Sequence, residues 1–270
     1  TNGAGEEYAR QKNIIQPRFG VAFDVKGDST QKVYASYGLY SEPIAATAAV
    51  RGASASIYSF QEFFYTGIDP KTSRPLGLTP NSPVYYFNNE NGATPNPASV
   101  TDTNLKPTIN EELVVGYQQE LAHRWRGGAR FTYRNLKKTI DDWCDERPIE
   151  RWATAHGYAF DKTDLGTGCF IINPGYAVSV LADVDNSHVL RNVVLTPAEV
   201  GVPKAVRRYV GLELTAEKPM SDGWYAQLSY TWSHNYGNTE GLVNSDIGQT
   251  DTGTTINFDY PEIMIGTNGN

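Results

Sequence analysis

Long apolar runs are missing from this sequence. None approaches the roughly 18 uninterrupted residues that a membrane-crossing helix needs. The longest, around Ile44 to Val50, is rich in Ala and broken by Thr47. No helical span is expected, which leaves strands open, since a barrel strand crosses with about ten residues of alternating polarity. Cations are in deficit: 23 Lys and Arg against 30 Asp and Glu leave a net charge of −7. That balance argues against a nucleic-acid partner, which demands clustered Lys and Arg. Cysteine is scarce, with two residues, and the four histidines His123, His156, His188 and His234 are scattered. No His-Glu-x-x-His, Gly-x-Ser-x-Gly, Walker loop or dinucleotide fingerprint occurs. No catalytic constellation is visible, so an enzyme is not expected, nor a cofactor or a metal. Thr1-Asn2-Gly3 carries neither an initiator Met nor an apolar signal core, as in a processed chain or an internal piece.

Aromatic residues are abundant: 17 Tyr, 10 Phe and 5 Trp, with 40% apolar residues overall, too rich for disorder. Together with 25 Gly and 15 Pro, they favour short strands joined by turns. Strict alternation is the strongest pattern. Phe19, Val21, Phe23 and Val25 oppose Arg18, Gly20, Ala22 and Asp24. After a turn from Lys26 to Lys32, Val33, Ala35, Tyr37 and Leu39 oppose Tyr34, Ser36, Gly38 and Tyr40. A second pair places Leu113, Val115, Tyr117 and Leu121 against Glu112, Gly116, Gln118 and Glu120. It turns at Ala122-His123-Arg124 and continues through Ala129, Phe131 and Tyr133. A third sets Val210, Leu212 and Leu214 opposite Tyr209, Gly211, Glu213 and Thr215. Its turn runs from Glu217 to Gly223, and Trp224, Ala226, Leu228, Tyr230 and Trp232 follow on one face.

The predicted organisation is therefore three hairpins, near residues 14–40, 109–135 and 206–234, with connections near 41–108, 135–206 and 234–270. Links of that length count against a compact soluble domain. Transmembrane barrels are an exception, with short turns on the periplasmic side and long loops outside. A soluble sandwich buries its apolar face under a second layer, whereas a barrel in lipid turns that face outward. Trp224 opens the apolar face of its strand and Tyr230 and Trp232 lie near the far end, as interfacial girdles require; ordinary core aromatics are the plainer alternative.

Particular segments carry a resemblance. Pro17 to Asp24 followed by Lys32 to Tyr40, Leu105-Lys106-Pro107 followed by Glu111 to Gln118, and Arg208 to Leu214 followed by Trp224 to Ser233 resemble barrel hairpins of TonB-dependent receptors, especially the large Oar-like members. The resemblance covers roughly a third of the chain. It implies an all-β fold: an antiparallel transmembrane barrel segment of about six strands, part of a 22-stranded barrel. It further implies a plug domain and TonB-coupled energy. The chain has neither plug nor TonB box, six strands are too few to close a barrel, and Ile265 to Asn270 is not an aromatic-ended last strand. A segment with neighbouring strands on both sides is expected.

Cys144 and Cys169, 25 positions apart in one long loop, read as an extracellular disulfide, with free thiols as the alternative. Asp141, Asp142, Asp145 and Glu146 flank Cys144 and offer a cation site, although a solvated loop face is the more ordinary reading. Asp183-Val184-Asp185-Asn186 begins like a calcium loop but lacks its Gly and closing Glu. The loop aromatics Tyr58, Phe63, Phe64, Tyr65, Tyr85, Tyr86, Trp143 and Trp152 are candidates for stacking on a ligand; packing of the loops into a folded cap competes with that reading. In a barrel, Arg130, Arg134, Gln227, Ser229 and Thr231 would line the lumen.

The expected function is active, plug-gated uptake of a scarce nutrient (siderophore, oligosaccharide or peptide) across the outer membrane of a Gram-negative bacterium. Its partners would be outer-membrane lipid, the TonB complex and the nutrient. The alternatives are a passive or adhesive outer-membrane barrel and a soluble secreted β-protein that binds or degrades carbohydrate.

Overall fold

The computed structural model describes residues 9, 11–46, 55, 57–94, 96–163, 165, 168–239, 241–243 and 253–264. Most of the Ala-rich stretch after Ile44 and the final Ile265 to Asn270 lie outside them.

Six strands form one antiparallel sheet in chain order: β1 (Arg18–Asp24), β2 (Gln31–Glu42), β3 (Thr108–Glu120), β4 (Arg126–Lys138), β5 (Arg207–Ser221) and β6 (Trp224–Gly237). Each pairs with its sequence neighbour, so β1 and β6 are the edges. Two successive registers fix the wall. Val21 pairs with Ala35, Ala35 with Val115, Val115 with Phe131, Phe131 with Leu212 and Leu212 with Trp232. One row on, Phe23, Val33, Tyr117, Ala129, Leu214 and Tyr230 align. A slip of one residue in any strand would move its apolar set to the other face, so every apolar row favours this pairing.

The three hairpin turns are tight and close with local chemistry. Asp24 accepts hydrogen bonds from the backbone N–H of Gly27 (3.0 Å) and Ser29 (2.7 Å), folding the first turn around one carboxylate. The second turn runs through Ala122–Arg124, with His123 and Arg124 both left-handed at φ 56° and 63°. The third differs from expectation. The ladder runs on to Ser221 and Trp224, and the turn is only Asp222-Gly223, at φ 55° and 82°. Asp-Gly with both φ positive is the two-residue hairpin signature, whose twist suits the flanking strands.

The two long connections hold structure of their own. Residues 57–91 form one extended hairpin arm through three successive ladders: Ile57–Phe60 with Tyr85–Asn91, Phe63–Phe64 with Thr79–Pro80, and Gly67–Ile68 with Pro75–Leu76. No ladder joins the described arm to the wall.

Between β4 and β5 the chain builds a small α+β cap. Asp141–Trp143 pairs with Phe170–Ile172, Val178–Ala182 pairs with Arg191–Leu195, and a helix spans Arg147–Ala155. Trp143, Phe170, Phe258, Ile149, Val180 and Val193 are sealed in its core. The tail segment 253–264 is thereby drawn back to cover the loop. A smaller cluster of Val100, Leu105, Ile140 and Ile171 ties the end of the first connection to the cap. The main cores of the described chain are thus above the wall, and the wall's apolar face belongs to neither.

Candidate functional site

The apolar face of the sheet has no covering layer among the described residues. Phe23 is 64% exposed, Val115 41% and Leu214 47%, although each is paired within a strand of the sheet. A soluble sandwich or helix-backed sheet would seal these positions. The eight steps from Trp224 to Trp232 cover roughly 27 Å at about 3.4 Å per residue. A strand tilt of about 40° brings the height to ~21 Å, close to the ~25 Å band of a transmembrane barrel. Both borders carry aromatics and polar anchors. At the short-turn end the Trp125 and Trp224 rings meet edge-on at 6.1 Å, and Lys218 lays its ammonium over Trp224 at 4.1 Å while donating to Ser221. At the other end Tyr37 donates its hydroxyl to Glu111 (2.8 Å), which also binds Lys137 at 3.4 Å. Above Leu113 this face turns from apolar to charged.

The opposite face is polar and internally paired. Arg130 bonds to Glu213 and Arg134 to Glu112 across adjacent strands. Thr231 lies beside Glu213, Ser229 beside Thr215, and Gln227 beside Glu217. The predicted polar set Arg130, Arg134, Gln227, Ser229 and Thr231 is therefore brought together on one face. The two arginines spend their charge on the wall, so they hold its shape more than they offer a free cation. Tyr34 lies across Gly116 on this face; a Cβ there would meet its ring at 2.2 Å. The glycine is needed so that a large ring can lie flat against the neighbouring strand.

The loop aromatics divide into two groups. Tyr58, Phe63, Phe64, Tyr65, Tyr85 and Tyr86 are all exposed on the hairpin arm, with Phe60 stacked on Tyr85 at 5.1 Å. Trp143 is a correction: it is 0% exposed, packed against Phe170 in the cap core, and cannot stack on a ligand. No local pattern marks it, since Asp141-Asp142-Trp143-Cys144 does not alternate in polarity. Trp152 is half-buried; its ring stacks on His156 (4.1 Å) and Tyr158 (6.1 Å) as a lid on the same core.

Cys144 and Cys169 are joined as a disulfide. The acidic residues around them are not a solvated face. Asp141 is buried and accepts from the Thr255 N–H and hydroxyl, both at 2.6 Å; burial pushes its carboxyl up to about 7 despite those bonds. Asp142 is raised well above the usual range by burial and then by the charges of Asp259 and Asp141. Burial alone lifts Asp259 to about 6. Asp145 is buried against Arg147, which also clasps Glu262. Asp142 lies near both sulfurs, within 4.8 Å, but a bonded sulfur is not a thiolate ligand. The calcium-like stretch closes on itself. Asp183 accepts from Ser187 N–H at 3.1 Å, and Asp185 binds Arg191 at 2.8 Å, so the carboxylates are used.

The family described as outer membrane beta barrel domain matches residues 2–262. The chain is also similar to the TonB-dependent transporter Oar of Myxococcus xanthus, 23% identical over 279 residues, covering 95% of this chain and 22% of that protein. It thus spans about a fifth of the length of the curated relative it matches.

Proposed function

The chain belongs to the outer membrane beta barrel domain family and resides in the outer membrane of a Gram-negative bacterium, and on that premise we propose that it supplies six wall strands and the extracellular surface of an active, TonB-dependent importer. The observation that carries the reading is the uncovered apolar face, continuous over all six strands and backed by a paired polar face. Such a face is stable only against hydrocarbon. The edges β1 and β6 would pair with further strands to close a barrel wide enough for a plug. The likeness to Oar supports a transport role and coupling to TonB. The exposed rings of the arm, Tyr58, Phe63, Phe64, Tyr65, Tyr85 and Tyr86, would capture the nutrient by stacking. The protein binds and passes its cargo without chemistry.

Growth of a strain lacking the gene, on limiting ferric chelate, oligosaccharide or peptide, tests the reading against a strain lacking TonB. The expected result is a defect on one nutrient shared by both strains. A defect in the first strain that TonB loss does not reproduce would leave a passive barrel in its place.

A further inference from the structure

The extracellular ends of β3, β4 and β5 lie side by side, and each carries a lysine with no carboxylate paired to it among the described residues. Lys106 precedes β3, Lys138 ends β4 and Lys204 precedes β5. Lys138 Nζ lies 3.9 Å and Lys204 Nζ 4.9 Å from the centre of the same ring, Tyr176. Lys106 and Lys204 are the cations whose charge acts on Lys138. The neighbouring Lys137, by contrast, has Glu111 at 3.4 Å. Asp102, whose charge acts on both Lys106 and Lys138, already accepts the N–H groups of Asn104 (2.9 Å) and Ser179 (3.2 Å). In a protein with seven excess negative charges, three such ammonium groups in one place are an uphill arrangement.

The backbone holds them there. Buried Asn173 accepts from the Lys106 N–H (2.8 Å) and donates to the carbonyls of Lys106 (2.9 Å) and Thr139 (2.7 Å), tying β3 to β4. Asn238 donates to the Lys204 carbonyl (2.9 Å). Gly175, at φ 76°, lets the Tyr176 loop press onto Lys204, whose backbone nitrogen a Cβ would meet at 2.4 Å. Tyr176 donates to the Lys137 carbonyl (3.4 Å), setting its ring as a floor.

We propose that Lys106, Lys138 and Lys204, around Tyr176, form a binding site for a phosphate group at the outer rim of the wall. A tetrahedral oxyanion presents several equivalent oxygens, one to each compact, strongly hydrated point charge, and cancels the repulsion among them. The site lies beyond the apolar band, where a phosphorylated lipid headgroup and a soluble phosphorylated solute are both within reach.

The test uses the full-length protein with the three lysines changed to Gln, singly and together, and Lys137→Gln as the paired control. In one arm inorganic phosphate is titrated into detergent-solubilised protein. In the other, the unfolding midpoint is compared in phosphatidylcholine vesicles with and without lipid A. Phosphate binding that weakens about tenfold or more in the triple variant, and is kept in the control, supports the site with a soluble ligand. Stabilisation by lipid A that the triple variant loses supports it with a headgroup. In phosphate-free detergent the triple variant should be no less stable than the parent, because repulsion is relieved; a loss there would mean that the lysines are structural and overturn the site. Equal behaviour of parent and triple variant in both arms would overturn it too. If the triple variant does not fold, Lys138→Gln alone takes its place in both arms, with the same supporting and overturning results.

Discussion

A charge placed on one face of β5 and then on the opposite face of its partner strand separates lipid contact from every other account of the wall. Leu214 sits in the middle row of the apolar band and is half exposed, with Ala129 and Tyr230 on either side. Ser229 lies one row away on the polar face, opposite Thr215. Met220 is exposed in the irregular stretch between Lys218 and Ser221, next to the Asp222-Gly223 turn. If hydrocarbon covers the apolar face, Leu214→Arg costs about 2–4 kcal/mol, Met220→Arg about 0–1 kcal/mol, and Ser229→Arg close to nothing. At about 1.4 kcal/mol per decade, the first variant lowers the folded-to-unfolded ratio by roughly 30- to 1000-fold. If water covers the face, all three are ordinary surface changes within about 0.5 kcal/mol. Guanidinium unfolding of the full-length protein in lipid vesicles, followed by tryptophan fluorescence, reads the difference. A Leu214→Arg variant indistinguishable from Ser229→Arg would refute the reasoning, and so would a cost that does not fall from Leu214 to Met220.

Three more outcomes follow from the cap and arm. Changing Cys144 and Cys169 to Ser frees a loop of 25 residues, so the cap should lose about 3.5 kcal/mol by chain entropy; amide exchange should speed up in the cap and not in the wall. The Asp141 carboxyl, usually at 3.8, is raised to about 7 by burial, and Asp142 and Asp259 move the same way. The folded cap thus holds more protons than the unfolded chain across that interval, and its unfolding midpoint should fall as pH climbs from about 4 to about 7. Asp141→Asn should flatten that slope. Replacing Phe63 and Phe64 together by Ala should leave wall stability within about 0.5 kcal/mol, since both rings are exposed, while whole-cell capture of the limiting nutrient drops.

The wall is legible from residues alone because period-2 alternation is read locally and each row repeats it. Phe19 to Val25 and Val210 to Leu214 need no tertiary information to be placed on one face. The third turn is shorter than the alternation suggests because the register slips between Lys218 and Ser221, which breaks the period-2 pattern over the last steps of β5; the Asp222-Gly223 signature is the better guide. The cap is not legible in the same way. Its core joins Trp143, Val193 and Phe258, which lie far apart in the chain, and nothing periodic links them. Trp143 and the surrounding carboxylates accordingly read as surface. Burial depends there on the tail returning through Thr255 to Asp141, a contact that sequence spacing does not encode.

The staple between Cys144 and Cys169 also sets an order of events. On the proposed importer reading, thiols leaving the cytoplasm meet an oxidising periplasm before the flanking β4 and β5 reach the bilayer. A 25-residue ring closed at that stage would cross to the far side as two limbs abreast instead of a single thread. Whatever machinery inserts these strands has to open a passage at least that wide.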